Sequence, residues 1–366
     1  MRIVEIVSGH ALNGAMKHAF VLARALSRRG HDVIVVCREG SWIAREAARA
    51  HLDVRLSDLH RWPPDELRRI ATLVSDCAAD VVHTHMSRAH FFGVLLKTLV
   101  RAPVVATAHS RRIQVHWRFN DRTIAVSDAV RRFHRRWNFV TSNRIDVVHN
   151  FVDLEEFALP TSDACATARQ ALGVDRSRPL VGIVGSVFPE KGVHHVVRAM
   201  PAILDAVPAA RLAIVGTGPG DYRHRIEREI ERLGVASSIA WLGHHDRIPM
   251  VMPAFDVLVA PSSDEGLPLS VLEAMTAEVP IVACDSGGIR ECVSDGVTGL
   301  LIRHGDVAGL AAACVSILAT PHLRSRLGSA ARARVLGHFT TDTQLPAIES
   351  VFETAMANRP ASRPRP

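Results

Sequence analysis

The chain predicts two doubly wound α/β domains, each a parallel sheet flanked by crossover helices. Three observations carry that prediction. Thirteen short β-branched runs alternate with helical segments along 366 residues, a length suited to two domains rather than one. The runs end in Gly, Ser or His, and open parallel sheets place their ligand-binding loops at such carboxyl ends. Hydrophobic residues make up 48% and charged residues 22%, a balance that can bury two cores and excludes a disordered chain.

In the first half the strands are expected at 3–7, 32–36, 52–56, 80–83, 103–107, 123–126 and 145–148. Residues 14–29 between the first two form an amphipathic helix, with Met16, Phe20, Ala23 and Leu26 on one stripe and Gly30 closing it. A second helix is expected at 128–137, with Ser127 as its N-cap and Val130, Phe133 and Trp137 on one face. In the second half the strands fall at 180–184, 211–215, 238–242, 256–260, 280–283 and 299–302. This divides the chain into a first domain over 1–160, a linker over 161–179, a second domain over 180–338 and a C-terminal helix and tail over 339–366. Pro160, Thr161, Ser162 and Asp163 interrupt any period at the junction. The last helix runs over 342–357, and 359–366 is expected to fray.

Other features bound the function. The six cysteines are scattered without a CxxC pair, so neither a zinc ribbon nor a disulfide framework is indicated and a reducing compartment is expected. The opening run carries Glu5 inside an apolar stretch too short for a signal-peptide core, and no uncharged stretch reaches the length of a membrane span. The net charge of +7 is concentrated in the first half, where 24 Lys/Arg face 16 Asp/Glu over residues 1–160. Between residues 101 and 144 lie ten arginines and two acids, interleaved with Trp117, Phe119, Phe133, Trp137 and Phe139. Such a stretch meets an anionic partner: a phospholipid surface, a nucleic acid or a phosphorylated substrate. No nucleic-acid reading module accompanies it, so nucleic acid is not expected as a partner.

The loops after the strands hold the chemistry. Ser8 to Gly14 opens the first helix but is neither a Walker loop nor a dinucleotide fingerprint. Its counterpart, Gly185-Ser186-Val187-Phe188-Pro189-Glu190-Lys191-Gly192, places backbone amides and one of three lysines before a helix, a setting suited to a phosphate. Gly216-Thr217-Gly218-Pro219-Gly220 also follows a strand, with its third glycine one position early for GxGxxG. In Pro261-Ser262-Ser263-Asp264-Glu265-Gly266-Leu267-Pro268, Glu265 sits on an irregular loop, and Glu273 is expected about two helical turns beyond it. Two such carboxylates suit the vicinal hydroxyls of a sugar or ribose. A further glycine turn, Ser286-Gly287-Gly288, follows the next strand. His83-Thr84-His85 offers two imidazoles without a third ligand nearby in sequence, and no metal is expected.

Taken together these residues resemble the retaining glycosyltransferases of family 4, the group 1 glycosyl transferases. The carriers are Asn13-Gly14, Asp80 to His85, Thr107-Ala108-His109, Ala125-Val126-Ser127, Asn150 to Asp153, Gly185 with Lys191-Gly192, Gly216 to Pro219, the Glu265 to Glu273 stretch with Glu-Ala-Met, and Gly287-Gly288 with Glu291. The resemblance implies a GT-B fold, two facing Rossmann-like domains with an interdomain cleft. It also implies transfer from a nucleotide-diphosphate sugar to a glycan or lipid-linked acceptor, with retention and without a metal or other cofactor.

Carried onto matching positions, Lys191 contacts the donor diphosphate, Glu273 the ribose hydroxyls and Glu265 the donor sugar. Gly185, Ser186, Gly266 and the backbone amides at Leu267 and Pro268 line the donor, Gly14 lets the first loop approach it, and His109 faces the transferred sugar. Ser186 departs from the family's usual Arg, Phe151 from a usual Gly, and Glu278 from a Gly before Val279-Pro280. Lipid-acceptor members dock their first domain on the inner leaflet, so Arg131, Arg132, Arg135, Arg136 and Trp137 are expected to face an anionic membrane or the acceptor. That implies a cytoplasmic enzyme, peripheral on the inner face of the cytoplasmic membrane and acting in envelope polysaccharide or lipopolysaccharide assembly. The alternatives are a GT-B nucleotide-sugar epimerase and a transferase for a small soluble acceptor.

Overall fold

A computed structural model describes residues 1–59, 64–157, 161–175 and 177–358. The chain divides into two compact units: Met1–Asn150 together with Thr341 onward, and Phe151–Thr340.

The first unit contains β1 (Arg2–Val7), α1 (Gly14–Arg28), β2 (Asp32–Cys37), α2 (Trp42–Arg49), β3 (Asp53–Leu56), α3 (Pro64–Asp76), β4 (Val81–His85), α4 (Ser87–Leu96), β5 (Val104–Ala108), β6 (Arg122–Ala125), α5 (Asp128–Trp137) and β7 (Ile145–Val147). Its seven strands are all parallel, in the order β3-β2-β1-β4-β5-β6-β7. The central strands are buried on both faces, which is why they read as continuous apolar runs. One core cluster packs Ile6, Val36, Val82 and Val104 against Ile70, Phe92 and Leu96. The N-terminus of α1 is closed by Asn13, whose side chain accepts from the Met16 amide at 3.0 Å.

The second unit contains α6 (Ser162–Ala171), β8 (Leu180–Val184), α7 (Val193–Ala206), β9 (Arg211–Val215), α8 (Gly220–Arg232), β10 (Ile239–Gly243), α9 (Ile248–Val251), β11 (Val257–Ala260), α10 (Leu269–Thr276), β12 (Ile281–Cys284), α11 (Ile289–Cys292), β13 (Leu300–Ile302), α12 (Val307–Ala319) and α13 (Pro321–His338). Its six parallel strands run in the order β10-β9-β8-β11-β12-β13. Val181, Ile214 and Val259 pack against Val196, Met200, Leu310 and Ile317 in its core. Among the described residues no single helix is long and apolar enough to cross a membrane.

All thirteen expected strands are present, with bounds moved by at most two residues; the fourth, for example, runs on through His85. Two expectations change. Part of the 161–179 stretch is the helix α6, because Thr161 is its N-cap and accepts from the Ala164 amide at 3.2 Å; a cluster that reads as a loop is a helix start. Arg169 then fastens α6 down, donating to the carbonyls of Ala254 and Arg178 and to the Asp256 carboxylate at 2.6 Å. The last helix, α14 (Thr341–Ala357), is grouped with the first unit, where His31 Nε2 lies 2.8 Å from Glu349 and the Phe352 ring packs edge-on against His83. The expected fraying over 359–366 lies outside the described residues.

Glu278 occupies the left-handed region at φ 57°, where the resembling family has glycine. A side chain with a Cβ costs roughly 1–2 kcal/mol in that region, a penalty glycine does not carry. Glycine gives back about 0.5–1 kcal/mol in chain entropy. The contact with Arg332, at 3.8 Å, is too long to contribute much. Glu278→Gly should therefore raise stability by about 0.5 kcal/mol, seen as a higher urea midpoint at unchanged slope; a lower midpoint would show that the side chain outweighs the backbone.

Candidate functional site

In the second unit, strand order reverses between β8 and β11, and the loops after these two strands are joined backbone to backbone. The Ser263 amide donates to the Glu190 carbonyl at 3.0 Å. Gly192, at φ 71°, lies so close to the end of β11 that a Cβ there would stand 2.5 Å from the Pro261 carbonyl. This packing brings Lys191 Nζ to 2.6 Å from Glu265 Oε1, with both side chains partly shielded from solvent. The two charged residues singled out from separate motifs thus meet at the switch point.

The Glu265 loop is also held from the β12 side. The Gly288 amide donates to the Glu265 carbonyl at 2.9 Å, and the Ser286 hydroxyl to the Ser262 carbonyl at 2.8 Å. Gly287 is at φ 54°, and a Cβ there would lie 1.9 Å from the Glu265 carbonyl, so only glycine allows this turn. The Gly216-Thr217-Gly218 turn plays the same part behind Gly185 to Val187: the Val187 amide donates to Thr217 at 2.8 Å, and a Cβ on Gly216 would meet the Gly185 carbonyl. It is a support for the phosphate-type loop rather than a dinucleotide fingerprint.

Glu273 is buried and is the fifth residue of α10, one turn in rather than two, because the helix starts only at Leu269. Leu267 is buried, Gly266 and Pro268 lie with it in the loop, and Ser186 is half-buried after Gly185. Pro268 corrects one expectation, since proline has no N–H and cannot be an amide donor. As N-cap it makes no side-chain bond to α10, so the first amides of that helix have no side-chain cap.

In the first unit the corresponding reversal lies between β1 and β4. Gly14 is the exposed first residue of α1, and the preceding loop is anchored by Ser8, whose hydroxyl accepts from the Ala89 amide at 3.1 Å. His109 directly follows β5, with Nε2 3.3 Å from His85 Nδ1; burial and neighbouring imidazoles hold its pKa well below the usual histidine range. Sequence reasoning passed over two neighbours of this pair, His18 on α1 and Glu5 in β1, both buried. Glu5 carries a signal in the sequence, an acid inside an otherwise apolar strand.

The basic stretch sorts into paired and exposed groups. Arg122 bonds Asp146, and Arg131 and Arg132 share Asp128, so these two of the four α5 arginines are not free. Arg135 and Arg136 are exposed, Arg136 with its guanidinium 5.2 Å from the Trp137 ring centre. Trp117 is buried against His90 and His134, and burial pushes His134 down to about 4. Trp137, expected on a surface that faces a membrane or the acceptor, is 46% exposed; Ile113 is 65% and Phe139 60% exposed. Asn138 ties these segments together, accepting from the Gln114 amide and donating to the Arg112 carbonyl.

Comparison with known proteins agrees with this geometry. Residues 166–334 match the Glycosyl transferases group 1 model and residues 12–156 the Glycosyltransferase Family 4 model. The chain is 32% identical to 2-deoxystreptamine N-acetyl-D-glucosaminyltransferase of Streptomyces fradiae, over 93% of this chain and 90% of that protein. It is 30% identical to the lipopolysaccharide core biosynthesis mannosyltransferase LpsB of Rhizobium meliloti strain 1021, over 83% of this chain and 85% of that one. Among solved structures, Anabaena Alr3699/HepE in complex with UDP-glucose matches with a TM-score of 0.87 at 22% identity, covering 97% of this chain and 100% of that chain. The two parallel-sheet units, the loops at their strand ends and these matches together establish that the chain belongs to the group 1 glycosyltransferases and has the GT-B fold.

Proposed function

We propose that this chain is a retaining transferase that moves a sugar from a nucleotide-diphosphate donor to a glycan or lipid-linked acceptor in envelope polysaccharide or lipopolysaccharide assembly. The observation that carries the reading is the Lys191–Glu265 pair at the β8/β11 reversal, beside the uncapped start of α10 and the buried Glu273. In this reading Lys191, the Leu267 amide and the α10 amides receive the charge that develops on the diphosphate as the C1–oxygen bond breaks. Glu273 accepts from the ribose hydroxyls and Glu265 from the donor sugar. The acceptor oxygen bonds C1 on the face the diphosphate leaves, and its proton passes to a diphosphate oxygen. Incubation with UDP-, GDP- and ADP-sugars and lipid-linked glycans, followed by product mass and anomeric configuration, tests this; an inverted product, or donor turnover that forms no glycoside, refutes it.

Location at the inner face of the cytoplasmic membrane rests on Ile113, Trp137 and Phe139, exposed beside Arg112, Arg135 and Arg136. Each arginine near an anionic surface contributes up to about 1 kcal/mol. Co-sedimentation with anionic vesicles should fall at least about tenfold when Arg135→Gln, Arg136→Gln and Trp137→Ser are combined, and should weaken with salt. Equal sedimentation with neutral vesicles would overturn the location. The second reading, a small soluble acceptor, is favoured by the relative whose name specifies 2-deoxystreptamine; glycoside formed on soluble aminocyclitols but not on lipid-linked glycans would select it.

A further inference from the structure

Three imidazoles from distant parts of the chain converge inside the first unit. His18 comes from α1, His85 is the last residue of β4 and His109 follows β5. One ring nitrogen from each lies within 4.8 Å of the others. His85 Nδ1 and His109 Nε2 are 3.3 Å apart. A tetrahedral ion bound to nitrogen at about 2.0–2.1 Å needs ligand atoms about 3.3–3.4 Å apart, so this pair already has the spacing of one tetrahedral edge.

The surroundings have the composition of a metal site's support. His85 Nε2 points back toward Glu5, 4.0 Å from Oε1, and Glu5 Oε1 lies 3.3 Å from His83 Nδ1. Glu5 is fully buried, and among the described residues no Lys or Arg pairs with it. Glu5 Oε2, His85 Nε2 and His109 Nδ1 are all buried without a hydrogen-bond partner among the described residues. Glu5 Oε2 is thus a buried acidic oxygen with no partner, which is costly in a core; the unpartnered imidazole nitrogens are the outer ones, and the facing pair, His85 Nδ1 and His109 Nε2, is within hydrogen-bond distance. A cation held by the imidazoles would supply the countercharge, and Glu5 would then accept from the outer nitrogen of His85, the carboxylate–histidine–metal arrangement that orients a ligand ring. Burial also keeps the rings neutral, the form that binds metal.

We propose that His18, His85 and His109 form a binding site for one divalent transition-metal ion of the zinc class, with Glu5 as the carboxylate orienting His85. Three nitrogen donors in a nearly dry pocket select zinc-class ions over magnesium or calcium, which require oxygen ligands. His109 is the least buried of the three and marks the side from which the ion enters. The ion ties α1, β4 and the segment after β5 together at the carboxyl edge of the sheet. The site is built from first-unit residues alone, and it gives His109 a role other than the sugar contact that the family resemblance implies.

The full-length chain, stripped with chelator, is titrated with Co²⁺ and, in parallel, dialysed against Zn²⁺. The expected result is one tightly held equivalent, with intense visible bands of tetrahedral cobalt and a higher melting temperature in Zn²⁺. The chain has 20 histidines, so surface sites must be separated. His109→Gln and His18→Gln should each lose that equivalent, the cobalt bands and the thermal shift, whereas His195→Gln and His304→Gln in the second unit should keep all three. Glu5→Gln should weaken the affinity 10- to 100-fold. His109 is only half-buried, so its variant remains interpretable if His18→Gln fails to fold. No equivalent retained against chelator, or an unchanged cobalt spectrum in His109→Gln, overturns the site. Unchanged affinity in Glu5→Gln overturns the orienting role.

Discussion

Glu265→Ala and Lys191→Ala should each lower kcat/KM for sugar transfer by about 2–5 kcal/mol, or roughly 30- to 4,000-fold, with the fold intact. The magnitude follows from what each change leaves behind. In the proposed reading, the leaving diphosphate without Lys191 loses its cationic partner from the β8 loop, where the family resemblance sets Ser186 in place of an Arg. Without Glu265 the sugar loses an acceptor held by the Gly288 amide and the Gly287 turn. Neither side chain belongs to a core, so circular dichroism and the urea midpoint should stay near the parent's. Because the two atoms are 2.6 Å apart, the double variant should cost less than the two single changes added. Near-native turnover by either single variant would remove this pair from the reaction.

Arg169→Ala should destabilise the second unit by about 1.5–3 kcal/mol, the scale of a lost hydrogen bond to a charged group. Arg169 is 5% exposed and places donors on two carbonyls and the Asp256 carboxylate. Arg324 and the Leu180 amide would still bond Asp256, so the change falls short of leaving a bare charge. The Ala254 and Arg178 carbonyls would lose this donor. Arg169→Lys should recover only part of the loss, since an ammonium cannot reproduce the planar fork. By contrast, removing Arg49 from its exposed pair with Glu46 should change little. Chemical denaturation measures both, and a loss below about 1 kcal/mol for Arg169→Ala would mean that α6 is a dispensable decoration.

The strands were legible because a parallel sheet covered on both faces needs runs such as Asp32–Cys37 and Val104–Ala108 to be apolar nearly throughout. The loops after them were legible for the same reason, since strand ends locate the ligand edge. The helix α5 was found with its cap, Ser127, because its charge pattern and its serine agree. What escaped was set by partners distant in sequence. Nothing local in Thr161-Ser162-Asp163 says that Arg169, a few residues on, will find Asp256 and turn a spacer into structure. Arg131 and Arg132 looked free until helical spacing brought Asp128 beneath both. Trp137 shares its helical spacing with the buried Val130, but it is the last residue of α5 and is exposed there. His18 carries no signal of its own, because only the fold brings α1 across the ends of β4 and β5.

The return of α14 to the first unit has a consequence for how the protein is made. A ribosome delivers Met1–Asn150 long before Thr341 emerges, and 190 residues of another folding unit intervene. Throughout that interval the seat of Phe352 beside His83, and the partners of Glu349 and Gln344 at His31 and His149, stand open. The amino-terminal unit is therefore begun first and completed last. A chain cut short before Thr341 keeps every element of the carboxy-terminal unit and lacks the one helix that completes the amino-terminal unit.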